Sequence, residues 1–111
     1  MDLPVFIKSE ISSLKLLCQK HKVASLYLFG SALTPQFNTQ SDLDFLVTFG
    51  AVPPLDYADN FFDLRDALSQ LFQRRIDLVE AQTLRNPYFK KVVEKTKVLI
   101  YAGGPGVQMA A

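Results

Sequence analysis

The sequence has little cysteine, almost no net charge and no long apolar run. Its 111 residues include one cysteine, Cys18, which cannot form an internal disulfide and suits a reducing, cytoplasmic compartment. The formal net charge of +1 gives no reason to expect direct nucleic-acid binding driven by bulk charge. No apolar run is long enough to cross a bilayer, and the start at Met1-Asp2 lacks a signal-peptide pattern, so we expect no membrane association.

The length fits one domain with a real core. A chain of 111 residues can bury about two-thirds of the surface that it exposes when unfolded. We expect one domain over residues 1–102. Residues 103–111 are small, glycine-rich and uncharged, which predicts a disordered tail.

Strands alternate with helices along the sequence. The predicted elements are a helix from Asp2 to about His21, strands over Val23–Phe29, Asp42–Phe49, Ile76–Val79 and Val98–Tyr101, and helices over about 54–72 and 86–95. This order predicts an α/β fold, in which helices pack on one face of a small mixed β-sheet and the other face carries the site.

The last predicted helix opens with Asn86 as its N-cap and Pro87 in its first turn. Its apolar residues are expected to pack against the sheet, namely Tyr88, Phe89, Val92 and Val93. Its lysines are expected to form a solvated face, with a docking surface for a partner as the alternative, namely Lys90, Lys91 and Lys95.

One stretch carries candidate chemistry. The first strand runs into Gly30-Ser31, and ten residues later Asp42-Leu43-Asp44 opens the second strand. Residues i and i+2 of a strand share a face, so Asp42 and Asp44 are expected to point the same way. Paired carboxylates repel each other, and a hard cation such as Mg²⁺, which takes carboxylate and phosphate oxygens, relieves that repulsion.

Each half of this stretch is weak evidence alone, because Asp-x-Asp is often a solvated strand end and Gly-Ser is often only a turn. Together they favour a nucleotide site. Gly30 permits close approach of the backbone to a phosphate, and Ser31 offers a hydroxyl where a short helix begins.

The motif from Gly30-Ser31 to Asp42-Leu43-Asp44 resembles the signature of the nucleotidyltransferase superfamily that includes DNA polymerase β. In its short length the chain is similar to the minimal nucleotidyltransferases, or MNT proteins, which are antitoxin partners of HEPN ribonuclease toxins. The resemblance extends from the first strand to about Tyr101, and it implies the polymerase β-like palm fold.

The resemblance implies a two-metal site. Asp42 and Asp44 would bind both Mg²⁺ ions, and Asp77 would be the third carboxylate, binding only the catalytic ion. The alternative for Asp77 is a strand-edge carboxylate paired with an arginine, Arg74 or Arg75. Gly30 and Ser31 would hold the β- and γ-phosphates of ATP, the co-substrate.

The resemblance also implies a reaction and a partner. AMP would pass from ATP to a tyrosine hydroxyl of a cognate HEPN toxin in a hetero-oligomer, which would neutralise the toxin. The alternatives are a non-catalytic antitoxin that occludes the toxin and a small-molecule nucleotidyltransferase. One departure matters, because Thr34 and Pro35 stand where many family members have arginine and glycine.

Overall fold

The computed structural model describes residues 3–103, which contain four β-strands and four α-helices. They are, in chain order, α1 (Val5–Lys8), α2 (Ile11–Lys20), β1 (Val23–Phe29), β2 (Leu43–Phe49), α3 (Tyr57–Phe72), β3 (Ile76–Glu80), α4 (Pro87–Thr96) and β4 (Val98–Ala102). Apart from Gly103, the predicted tail lies outside the described residues, so the domain boundary at residue 102 stays a prediction.

The strands form one mixed sheet in the order β3-β2-β1-β4. β1 pairs antiparallel with β2 and with β4, whereas β2 and β3 run parallel. The parallel register sets Asp44 of β2 opposite Asp77 of β3. The predicted fold class, a small mixed sheet with helices, is therefore confirmed.

The main core lies between one face of the sheet and helices α1, α2 and α3. On β2, Leu43, Phe45 and Val47 alternate along the strand, and each has 0% of its surface exposed. Leu64 and Leu68 of α3 belong to the same cluster, four residues apart on one side of the helix. Cys18 lies in this core too, and burial raises the pKa of its thiol to about 12.

A smaller cluster lies on the opposite face of the sheet. There Val93 of α4 packs against Phe29 and Leu46, which alternate with the residues of the main core. The prediction that helices cover one face holds for α1 to α3, whereas α4 lies against the other face. On α4, Val93 is buried, whereas Tyr88 is 84% exposed and Val92 is 57% exposed. The prediction that Tyr88 and Val92 pack against the fold is therefore wrong.

The predicted first helix is two helices, separated at Ser9 and Glu10. The Ser9 hydroxyl donates to the carbonyl of Phe6 at 3.1 Å, and the Glu10 amide donates instead to Ile7 at 3.0 Å. A serine that takes a helix carbonyl in this way competes with the i−4 backbone bond, which ends the first turn. Between residues 3 and 103, no helix is long and apolar enough to cross a membrane.

Candidate active site

Asp44 and Asp77 meet on adjacent parallel strands. They are register partners in the ladder between β2 and β3, and Asp77 lies close enough to raise the pKa of Asp44. Asp44 is partly buried, and Asp77 is exposed at the rim. Two of the three predicted carboxylates are thus neighbours.

Gly30 lies beneath the carboxylate of Asp44. Its φ is +78°, a left-handed conformation that side-chain-bearing residues rarely adopt. A Cβ at this position would overlap Oδ2 of Asp44 and lie 2.9 Å from its Cγ. The backbone N–H of the next residue, Ser31, lies near enough to lower the pKa of the Asp44 carboxylate. The predicted Gly-Ser turn therefore holds the carboxylate from below, and its residues 30–33 form a short 3-10 helix.

The pKa of Asp44 is raised to about 6. Burial of the carboxylate is the largest cause, and the negative charge of Asp77 is the next. The Ser31 N–H acts in the other direction, because it stabilises the ionised form. The ionised form of Asp44 is therefore unfavourable in this site, and a bound cation would stabilise it.

Asp42 has an arginine partner, although its negative charge also raises the pKa of Asp44. Its Oδ1 accepts from Nε of Arg75 at 3.1 Å, and it lines a separate hollow beside Gln73 and Arg74. In the described part of the chain, no three acidic, histidine or cysteine side chains converge as a metal cluster would require. The structure sets Asp44 beside Asp77 and pairs Asp42, which precedes β2, with Arg75, so a metal site of all three aspartates stays a prediction.

A cavity of about 380 Å³ opens beside the carboxylate pair. The strand and turn side of this cavity holds Gly30, Asp44 and Asp77. Helix α4 forms the facing wall with Phe89, Val92, Val93 and Thr96. The catalytic candidates thus line a concave site that is acidic on one side and apolar on the other.

Thr34, which replaces the usual motif arginine, also lines this cavity. Its hydroxyl donates to the Ser31 carbonyl at 2.8 Å, and its backbone N–H donates to the same carbonyl at 2.9 Å. Thr34 therefore closes the Gly-Ser turn. Arg74 donates to the carbonyls of Asn38 and Ser41, so its guanidinium stabilises the loop before β2.

The sequence did not predict the part of α4 in this site. From the sequence, Phe89 and Val92 are expected only to pack against the rest of the fold, and Thr96 lies just beyond the predicted helix. The signal was available in the pattern, because Phe89, Val92, Val93 and Thr96 follow the i, i+3, i+4, i+7 spacing of one helix face. The sequence pattern does not show that this face of α4 lies opposite Asp44 and Asp77.

Comparison with known proteins identifies the family of the chain. A family model for the nucleotidyltransferase domain matches residues 11–100. The chain belongs to this nucleotidyltransferase family. The "Putative protein adenylyltransferase MJ0128" of Methanocaldococcus jannaschii is 40% identical over 86 residues, which cover 78% of this chain and 85% of the relative. A second protein of that organism, "Putative protein adenylyltransferase MJ1217", is 31% identical over 86 residues with the same coverage.

Solved structures share the fold of this nucleotidyltransferase. One described as a "putative minimal nucleotidyltransferase" has a TM-score of 0.69 at 28% identity, over 88% of this chain and 95% of that one. A chain from the tri-AMPylated Shewanella oneidensis HEPN toxin in complex with MNT antitoxin has a TM-score of 0.59 at 16% identity, over 87% and 73%. A chain from a toxin–antitoxin complex with AMP-PNP has a TM-score of 0.63 at 18% identity, over 84% and 73%. At such low identities, these last two likenesses concern the fold alone.

Proposed function

We propose that this nucleotidyltransferase is an antitoxin that transfers AMP from ATP to a tyrosine hydroxyl of a cognate HEPN toxin. The observation that carries the proposal is the position of Asp44 beside Asp77 and directly above Gly30. The named relatives are protein adenylyltransferases by description, and the chain shares its fold with an MNT antitoxin complex. The acceptor and the antitoxin role rest on those likenesses.

The chemistry of the carboxylate pair fits Mg²⁺. Asp44 and Asp77 offer hard oxygen donors side by side, and the raised pKa of Asp44 reflects burial of its carboxylate and the negative charge of Asp77. Asp42 fits as a further ligand if it leaves its ion pair with Arg75, whose side chain is 85% exposed. We propose that Asp42 and Asp44 bind both ions and that Asp77 binds one. When bound, the two Mg²⁺ ions stabilise the charge on the attacking and leaving oxygens.

The residues of the turn would bind and orient the nucleotide. Gly30 lets a phosphate approach the backbone, because no Cβ occupies that space. The Ser31 hydroxyl and the short 3-10 helix that begins at Gly30 would hold the β- and γ-phosphates. In this way the α-phosphorus would lie beside Asp44 and Asp77, which is mainly a positioning effect.

The transfer step conserves atoms and charge. The tyrosine oxygen forms a bond to the α-phosphorus, and the bond from the α-phosphorus to the bridging oxygen of the β-phosphate breaks. Pyrophosphate leaves with that electron pair. Asp77, which is exposed at the cavity rim, is placed to accept the tyrosine proton.

The experiment that tests the proposal is intact-mass analysis of the product of the neighbouring gene. That protein is incubated with this nucleotidyltransferase, Mg²⁺ and ATP. We expect a gain of one or more AMP units, and we expect Asp44→Asn and Asp77→Asn to abolish it. Asp63→Asn is the matched control, because Asp63 is an exposed residue of α3 outside the cavity, and its variant should transfer AMP normally.

The other outcomes separate the alternatives. An unchanged mass with a stable complex on sizing would replace the proposal with an antitoxin that acts by occlusion. An unchanged mass without a complex, together with turnover on hydroxylated small molecules, would replace it with a small-molecule nucleotidyltransferase.

A further inference from the structure

The wall of the cavity that faces the carboxylates is apolar and aromatic. Phe29, Leu33, Phe89, Val92 and Val93 line it, together with two threonines. Only Asp44 and Asp77 bring charge to the cavity. A triphosphate and its cations need the acidic side and the turn, and they leave the apolar wall without a role.

Phe89 is the exposed ring of this wall. It keeps 45% of its surface exposed, although it is a large apolar residue beside a cavity. Its ring packs edge-to-face against Phe29, with centroids 6.0 Å apart and planes at 72°. The Asn86 side chain accepts from the backbone N–H of Phe89 at 3.1 Å, which fixes the first turn of α4. The ring is therefore supported from behind and presents surface to the cavity.

The aromatic support is also adjacent to the proposed phosphate turn. Phe29, against which Phe89 packs, is the residue before Gly30. β1 carries Phe29 into the turn without an intervening residue. A ligand that extends from the turn toward α4 would thus have its phosphates at Gly30 and a flat group at Phe89, whose ring packs against the residue before the turn.

The wall provides no side-chain hydrogen-bond donor. The Thr96 hydroxyl donates to the Val92 carbonyl at 2.7 Å, and the Thr34 hydroxyl donates to the Ser31 carbonyl at 2.8 Å. Among the residues that line the cavity, the remaining side chains are apolar or are carboxylates. A base held here would be bound through its faces, since no side chain donates a hydrogen bond to its edge.

We infer that the nucleobase of the donor nucleotide stacks on Phe89, with Val92 beside it, and that this stacking platform prefers bases with a larger flat surface. The inference rests on the proposed function for the presence of a nucleotide in the cavity. It adds to that function a residue that binds the base and an order of affinity among nucleotides. Purine nucleotides bind more tightly than pyrimidine nucleotides, and ATP and GTP differ in affinity by less than about tenfold, because base–aromatic stacking tolerates any base.

The geometry favours the base over the ring of an acceptor tyrosine as the occupant. The base is joined to the phosphates at Gly30 through the ribose, so it must lie within the same cavity. An acceptor on a macromolecule must reach the α-phosphorus opposite the leaving pyrophosphate, for an in-line displacement. Asp77, at the exposed rim, marks the side open to that approach.

The test is a binding measurement that needs no acceptor. Dissociation constants are measured by calorimetry for the Mg²⁺ complexes of ATP, GTP, CTP and UTP, and of inorganic tripolyphosphate, which lacks a base. Phe89→Leu should weaken ATP and GTP binding about tenfold and leave tripolyphosphate binding within twofold. Phe89→Tyr, which keeps the ring, should retain the affinity of the unmodified protein. Phe62→Leu is the matched control, because Phe62 is 48% exposed on α3 and does not line this cavity.

Five results would overturn the inference. Equal ATP affinity in Phe89→Leu and the unmodified protein would place the base elsewhere. Equal losses for ATP and tripolyphosphate would make Phe89 a structural residue. A preference of more than about a hundredfold for ATP over GTP would require hydrogen bonding to the base edge. If the unmodified protein bound tripolyphosphate but gained nothing from a base, the proposed phosphate site would stand without the platform, whereas no binding of any of these ligands would reject both.

Discussion

Asp44 on β2 and Asp77 on β3 are register partners across a parallel strand pair, and the negative charge of Asp77 raises the pKa of Asp44. The two residues are 33 positions apart in the sequence, so only the crossover through α3 brings them together. Gly30 supports Asp44 from below because its missing Cβ leaves room for the carboxylate. The site therefore depends on three separate segments of chain, each positioned by the sheet.

The first prediction concerns pH and stability. The pKa of Asp44 is about 6 in the folded protein, above the ordinary value of 3.8. Between about pH 4 and pH 6 the folded state keeps a proton that the unfolded state has lost, so this group makes stability fall as pH rises through that window. Without Mg²⁺, Asp44→Asn should therefore be more stable than the unmodified protein at pH 7.5, by about 1–2 kcal/mol after allowance for solvent screening.

The difference should vanish at about pH 3, below both pKa values, where Asp44 is protonated in the folded and the unfolded state. Urea unfolding at the two pH values measures it. Asp63→Asn, on the exposed surface of α3, should show no such dependence. A lower stability for Asp44→Asn at pH 7.5 would contradict the electrostatic account of the site.

The second prediction concerns Gly30. Gly30→Ala would force a side chain into a left-handed backbone conformation and against the Asp44 carboxylate. We expect a loss of at least about 2 kcal/mol of stability, together with loss of AMP transfer. Gly50→Ala is a useful comparison, because the φ of Gly50 is not positive, and it should cost less. Thermal unfolding of both variants measures the difference, and equal losses would show that the close approach at Gly30 is unimportant.

The third prediction separates the two adjacent arginines. Arg74 donates to the carbonyls of Asn38 at 3.0 Å and Ser41 at 2.9 Å, and its guanidinium lies 4.5 Å from the ring centre of Phe37. Arg74→Ala should lower stability by about 2 kcal/mol, because it leaves two carbonyls and an aromatic face without their partner. Arg75→Ala should change stability by less than about 0.5 kcal/mol, because Arg75 makes only an exposed ion pair. Chemical denaturation of the two variants measures the contrast, and similar losses would contradict it.

The fourth prediction concerns the cap of α4. The Asn86 side chain accepts from the backbone N–H groups of Tyr88 and Phe89. Asn86→Ala should lower stability by about 1 kcal/mol, whereas Asn86→Asp should preserve the cap and most of that stability. A calorimetric comparison of melting temperatures distinguishes the two variants. If Asn86→Asp lost as much as Asn86→Ala, the capping hydrogen bonds would not be the cause.

Local patterns in the sequence were enough to predict the central strands. The apolar run of β1 predicted its bounds, Val23–Phe29, as the structure has them. The alternation of apolar residues along β2 is that of a strand with one buried face, and Leu43, Phe45 and Val47 are buried in the structure. Asn86 was correctly predicted as a helix cap, because the chemistry of a cap is contained within a few residues. These features are local, so a single sequence carries them.

The features that failed depend on tertiary contacts. The sequence of α4 does not determine which face of the sheet the helix packs against. Tyr88 and Phe89 are both apolar, so either could lie on the buried side of the helix. Asp42 pairs with Arg75, which lies 33 residues further along the chain, and sequence spacing cannot show such a partner. The metal site of three aspartates therefore stays a prediction, of which the structure shows that Asp44 and Asp77 are neighbours.

The most direct measurement of the central claim uses ATP that is radiolabelled at either the α- or the γ-phosphate. This nucleotidyltransferase is incubated with Mg²⁺, the product of the neighbouring gene and each labelled nucleotide, and the label on protein is counted after gel separation. The account predicts label on the partner from the α-phosphate, none from the γ-phosphate, and none from either with Asp44→Asn or Asp77→Asn. Transfer from the γ-phosphate, or α-label that survives both substitutions, would contradict it.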